Sequence, residues 1–441
     1  MSTQINISKS VAVADEGTQV TASASQIDFV GDGVTASAVG GNVTVSIAGA
    51  YGPFGIADIT GVYTYYNTLN DAMTAAIAGQ TIEVFADYVE TTSLEITIKD
   101  GVNINGNGHT FVKNTVDASH IFVTASSVFY ECSIINYHIW RKAGTGYCFY
   151  TLINNTGRID FTGTVLRSTG GGRAAEITGI DVLNLTGIST SAATALVFVG
   201  GALGSKIKNV IGINTDIGVG LQISGNSVNA ELCSGESKGG DGFYSDGRTL
   251  NCTGYSSSGR GFVTLNFSQN CTGRSVSGVG FVTYYETNEV LNCVGTSISG
   301  FGFSSQGGNA AGCSGLSQTN YGTQINGSLA RHYNFYSTSY LGPSVWCTNA
   351  GATQQIINGA IYSRWGNITA YGLRGNGGVM PGIIANVFFS LTNIAAPYLF
   401  NDGIAQAISM RGNTYQGGGP FNANLTQAIT ATEDNQGNIF L

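Results

Sequence analysis

The densest group of side chains able to do chemistry is Thr283-Tyr284-Tyr285-Glu286-Thr287-Asn288-Glu289. Tyr284 and Tyr285 combine flat apolar faces with hydroxyls, which suits stacking on a sugar ring and hydrogen-bonding its rim. They are candidate ligand-binding residues. Glu286 and Glu289 add two carboxyls, and Asp241 and Asp246 form a second acidic pair. Glycoside hydrolysis generally uses two carboxyls roughly 5 to 9.5 Å apart. All four acids are therefore candidate catalytic residues, although no motif singles out either pair. The competing reading is a solvated loop whose tyrosines fold onto the wall or into a subunit interface.

Other chemistries find little support. His109, His120, His138 and His332 are scattered, as expected for packed or exposed side chains. Gly239-Gly240-Asp241-Gly242 is neither a phosphate loop nor a calcium roll, because no helix is signalled after it and the phrase does not repeat. No cofactor and no metal are expected. The net charge of -8 and pI near 5.0 argue against a nucleic-acid partner. Arg141-Lys142 is the nearest approach to a basic cluster. No apolar run reaches about 18 residues, so membrane insertion is not expected. Met1-Ser2-Thr3-Gln4 lacks the regions of a secretory leader, which points to synthesis in a cytosol.

The candidate residues sit within a repeat. Cys233, Cys252, Cys271, Cys293 and Cys313 each precede a small residue and a glycine. Phe243, Phe262, Phe281 and Phe303 each follow a Gly-x-Gly, ten residues after the cysteine. The return from Phe to the next Cys takes 9, 9, 12 and 10 residues. One segment is constant and the other accepts insertions. A repeat near 20 residues is too short for a helix pair and fits one turn of a β-solenoid. Coils stacked about 4.8 Å apart set each position over its own copy. The cysteines and phenylalanines then form two structural ladders in the lumen. Asn251, Asn270 and Asn292 become a stacked amide ladder or turn residues. The Gly-x-Gly is expected to make a corner at positive φ. The longest return arm contains the tyrosines and must bulge outward. Asp241 falls one rung from Arg260, which predicts an exposed ion pair worth about 0.5 kcal/mol and speaks against an acid role.

Composition agrees with this frame. Charged residues make up 10% of the chain, well below the usual quarter or so, so the surface is mostly polar and uncharged. Five of the eight cysteines lie on the ladder and no Cys-x-x-Cys occurs, so they read as buried thiols. Stacked side chains on one face rarely have the torsion of a disulfide.

Along the chain, residues 1–50 read as a separate β-module. Its strands are Ser10-Val11-Ala12-Val13, Gln19-Val20-Thr21-Ala22, Ile27-Asp28-Phe29-Val30, Val34-Thr35-Ala36 and Val43-Thr44-Val45-Ser46-Ile47. With Phe29 as its one aromatic residue, such a module needs a partner surface. The phrase Ile27-Asp28-Phe29-Val30-Gly31-Asp32-Gly33-Val34-Thr35, then Gly41-Asn42-Val43-Thr44-Val45-Ser46-Ile47, resembles the N-terminal modules of bacteriophage fibre and appendage proteins. Residues 51–80 form a connector and a capping helix, with Thr68 as N-cap, Gly79 as stop, and Leu69, Met73 and Ile77 or Ala76 on one face. Residues 81–340 are coils, traced upstream by Gly163, Gly187 and Gly212. A break near Pro343 precedes further coils and a terminal cap over 341–441, with the last coils before Tyr415 and a tail that caps or crosses to a neighbour. Helix then solenoid resembles the entry of a pectate-lyase-like β-helix, as in phage tailspikes.

The fold expected is all-β: a right-handed parallel β-helix with a short capping helix and a small N-terminal β-module. The resemblance implies a virion-borne fibre or tailspike, anchored by residues 1–50 to other virion proteins, homotrimeric, and adhering to a host-surface glycan or receptor. A tailspike depolymerase is the alternative. The thin supply of paired acids favours the structural role.

Overall fold

The computed structural model describes residues 52–347 except 126–128, 153–154, 202–203, 286–287, 327–329 and 343; it also describes strands within 2–47, and strands with Asn413 within 355–440. The chain is all-β and winds into a parallel β-solenoid of about 12 turns. The coils of the Cys/Phe repeat contribute three short strands each, whereas in others, as Asp181–Ser189, one strand runs through the first two faces. In one coil of the repeat the three are Arg248–Leu250 on a first face, Thr253–Ser256 on a second and Phe262–Thr264 on a third. Each pairs in parallel with its counterpart one rung up, as Thr253 with Thr272 and Phe262 with Phe281. The second and third faces continue past residue 340, where Ser339 pairs with Ser363 and Val345 with Leu373.

Local chemistry sets the corners. Between the first and second faces the backbone turns through a left-handed residue, at φ 53° for both Asn251 and Asn270 and 52° for Asn292. Asparagine tolerates that conformation better than most residues. Asn270 Nδ2 donates to Asn251 Oδ1 at 3.2 Å, so these residues are both turn formers and an amide ladder. Gly163 also belongs to this corner, at φ 70°. It is therefore not the upstream member of the Gly187 and Gly212 file; Leu166 is, paired in register with Gly187.

The second face ends on a serine file. Ser256 Oγ accepts from the Gly259 N–H at 2.8 Å and donates to the Gly240 carbonyl at 2.6 Å. Ser275 and Ser297 repeat both contacts. Each hydroxyl thus closes its own bend and ties the coil to the one below.

The Gly-x-Gly phrases do not sit at positive φ, contrary to expectation; none of Gly240, Gly242, Gly259, Gly261, Gly278 and Gly280 is in the left-handed region. Glycine is needed there for close approach. A Cβ on Gly261 would lie 2.3 Å from the backbone nitrogen of Arg274.

Inside the coils Phe243, Phe262, Phe281 and Phe303 stack with centroid separations of 4.6, 4.9 and 5.3 Å and nearly parallel rings. Cys233, Cys252, Cys271, Cys293 and Cys313 are buried and free. Cys271 N–H points at Cys293 Sγ, 3.4 Å away.

At the N-terminal end, the strand Phe54–Ala57 pairs antiparallel with Tyr63–Tyr66 and with Thr81–Val84 of the first coil. It covers an edge that would otherwise be open to pairing. Helix α1 (Leu69–Ala75) follows Thr68, whose Oγ1 accepts from Asp71 N–H at 3.1 Å. Leu69, Met73 and Ala76 are buried, whereas Ile77 is 67% exposed because the chain leaves the helix at Ala76. The strands described within 2–47 pair as Ser2–Asp15 with Thr18–Val30 and Val34–Val39 with Asn42–Ile47. Two strands expected separately, at 19–22 and 27–30, are one. The second-face column also runs beyond the expected limit, through Thr414–Gln416 to Ile439–Phe440. No helix among the described residues is long and apolar enough to cross a membrane.

Candidate functional site

The longest return arm of the Cys/Phe repeats leaves the third face after Phe281–Thr283 and rejoins the first at Glu289–Leu291. Asn288 anchors it from beneath: it is buried, and its Nδ2 donates to the Thr264 carbonyl at 3.3 Å. Tyr284 N–H continues the ladder onto the Thr264 carbonyl at 3.1 Å. Tyr285 is then left 62% exposed.

Tyr284 is held from the side. Arg260 Nη1 donates to its hydroxyl, and the guanidinium carbon lies 5.5 Å from the ring centroid. Arg260 is itself fixed by Asp241, through Nε to Oδ1 at 2.8 Å and Nη2 to Oδ2 at 2.5 Å. The Asp241 hydrogen bond, more than any other influence, raises the Arg260 pKa. The cross-rung pair is not the exposed one expected: Asp241 is 8% exposed, because the guanidinium lies across it. With both oxygens engaged, Asp241 serves as a brace.

Beside Tyr285 a polar cleft of about 370 Å³ opens, lined by Asn226, Tyr244, Asp246, Leu265, Asn266 and Tyr285. Tyr244 follows Phe243 on the third face, and alternation along the strand turns it outward. Asp246 begins the arm after that strand. Partial burial raises its carboxyl above the ordinary range, against a smaller lowering by Tyr244. Its Oδ1 is buried without a hydrogen-bond partner. The same desolvation raises the Tyr244 phenol.

The structure thus brings Asp246 and Tyr285 together and leaves other candidates apart. Asp241 and Asp246 lie at opposite ends of Phe243–Ser245, on the order of 15 Å along an extended strand. Glu289 is exposed on the first face, paired in register with Asn309. Glu286 lies outside the described residues. Tyr244, Asn226 and Asn266 were not singled out by the sequence, although the constant ten-residue spacing placed Tyr244 one step past an inward Phe. The histidines are dispersed. His332 is buried between Phe303 and Phe335, at 6.4 and 5.0 Å between centroids, and burial lowers its pKa to about 4. His120 stacks on Tyr150 at 4.5 Å. No cluster of three potential metal ligands occurs among the described residues.

Comparison with known proteins finds no matching family model, no matching curated protein and no matching solved structure.

Proposed function

We propose that this chain is a structural appendage of a phage-type virion, attached through residues 1–50, that presents the tyrosine cleft to a host-surface glycan. The observation that carries the reading is the composition of the cleft. Two tyrosines, two asparagines and one carboxyl converge on one opening beside the arm that carries Tyr285. Aromatic faces beside amide and carboxyl groups complement the C–H faces and hydroxyls of a sugar. The bracing of Tyr284 by Arg260 and Asp241 pre-organises the arm, which lowers the ordering cost of binding. A homotrimer is the assembly that the resemblance implies.

The test is binding of the full chain to purified host-surface polysaccharide. Tyr285→Ala and Tyr244→Ala are each expected to weaken binding about tenfold, in line with loss of one stacking contact. Unchanged binding in both variants would remove the cleft from adhesion. Deleting residues 1–50 is expected to leave the solenoid folded but absent from particles.

A depolymerase is the second reading, favoured by the half-buried Asp246 carboxyl with its raised pKa. No second carboxyl lines the cleft among the described residues. New reducing ends that vanish in Asp246→Asn or Glu286→Gln, with binding retained, would establish it in place of simple adhesion.

A further inference from the structure

The outward row of the first face carries a charge pattern separate from the tyrosine cleft. Strand pairing sets Arg158, Asp181, Lys206, Asn229 and Arg248 in one file, one residue per coil. Cations occupy every second rung. Two strand spacings put neighbouring cations about 10 Å apart, and about 20 Å separates Arg158 from Arg248.

All three cations are exposed, and none has a carboxylate within ion-pair distance among the described residues. Asp181 Oδ1 instead accepts the backbone N–H of Lys206 at 2.6 Å. Glu231, in the adjoining row, pairs with Lys208 at 3.2 Å. Arg248 lies over the Phe267 ring at 4.8 Å, which orients the guanidinium without neutralising it. The file borders a groove of about 620 Å³ whose other side includes Leu183 and Leu250. Arg158, Lys206, Lys208 and Arg248 against Asp181 and Glu231 leave an excess of two positive charges, on a chain of net charge -8.

We infer that this groove binds an extended acidic polysaccharide with one carboxylate per disaccharide, its chain running along the solenoid axis. The repeat of an extended disaccharide is close to the interval between the cations. A polymer charged on every sugar would set alternate carboxylates against Asp181 and Asn229, one repulsive and one neutral. A neutral polymer leaves the cations unused. Guanidinium groups suit carboxylates because two N–H donors match two oxygens. Each exposed contact is weak and screened by salt, and joining three on one polymer gives useful affinity. This site lies on a different face from the tyrosine cleft and stands whether or not the cleft takes a glycan.

The experiment titrates the full chain with oligosaccharides of hyaluronan, of polygalacturonate and of dextran. Hyaluronan has one carboxylate per disaccharide, polygalacturonate one per sugar, and dextran none. Hyaluronan is expected to bind best and dextran not at all, with binding lost between about 0.05 and about 0.5 M salt. Lys206→Ala should weaken hyaluronan about threefold, and the Arg158→Ala, Lys206→Ala, Arg248→Ala triple about thirtyfold. Asn229→Lys should strengthen binding and Asn229→Asp weaken it. Tyr285→Ala should change nothing, which separates this groove from the cleft. All these side chains point outward, so unchanged unfolding midpoints are expected throughout. Equal binding of dextran, an undiminished triple variant, or indistinguishable Asn229 variants would overturn the inference.

Discussion

Gly254 on the second face and Gly261 just before the third meet across the interior of a single coil. A Cβ on Gly254 would fall 2.1 Å from the Gly261 carbonyl oxygen and 3.0 Å from Phe243 Cβ. The obstacle is backbone, so no side-chain rotation relieves it. Gly254→Ala is expected to destabilise the solenoid by about 3 kcal/mol, at the upper end for overpacking. Gly61→Ala, at φ 84° with nothing within 4 Å, should cost about 1 kcal/mol from backbone strain alone. Urea midpoints of the two variants check the order.

The phenylalanine stack makes a second prediction. Phe262 is buried between Phe243 and Phe281, 4.6 and 4.9 Å from their centroids. Phe262→Ala should cost about 3–5 kcal/mol and Phe262→Leu about 1.5 kcal/mol. Equal losses in denaturant titrations would show that stacking continuity, not volume, governs the column.

His332 links stability to pH. It is fully buried, neither ring nitrogen has a partner, and burial lowers its pKa from 6.5 to about 4. The unfolded chain therefore binds the proton first as pH falls. Stability present above pH 6.5 is lost progressively towards pH 4, by about 3 kcal/mol in all. Thermal midpoints of the parent and His332→Leu between pH 7.5 and 4.5 should diverge, with the variant lacking this component of the acid slope.

All eight cysteines are buried and none is in a disulfide. Burial pushes the Cys132 and Cys148 thiols up to about 12. A water-soluble disulfide reagent at mildly alkaline pH should label none of the eight in the native protein and all in denaturant. Rapid labelling of any native ladder cysteine would contradict the closed lumen.

Arg260 braces Tyr284 while satisfying Asp241. Arg260→Ala strands a buried carboxylate, at a cost of about 1–3 kcal/mol. Adding Asp241→Asn should recover part of that loss, since the carboxamide is neutral. A double variant no more stable than the single would place the cost in lost packing of the guanidinium.

Much of this architecture was legible in a handful of residues. The ten-residue step from Cys252 to Phe262 and from Cys271 to Phe281 announced equal coils. The variable return marked the arm that carries Tyr284 and Tyr285. Asn251 and its copies marked a corner, since few residues other than glycine accept a left-handed backbone. The serine file was equally visible, as Cys-x-Gly-x-Ser in Cys252-Thr253-Gly254-Tyr255-Ser256 and its repeats, although its role in tying bends together depends on hydrogen bonds between coils.

By itself the sequence determined that like residues would recur at equal steps, because a periodic chain can bury its small apolar side chains only by setting coil on coil. Tertiary structure alone decided why glycine is required at Gly254 and Gly261, how deeply Asp241 would be buried and which acid would be left in a cleft, and which cations would share one file. Those outcomes depend on how far apart the faces lie and on how many residues each corner consumes. Neither distance nor register between long, unequal coils is written in any local stretch of the chain.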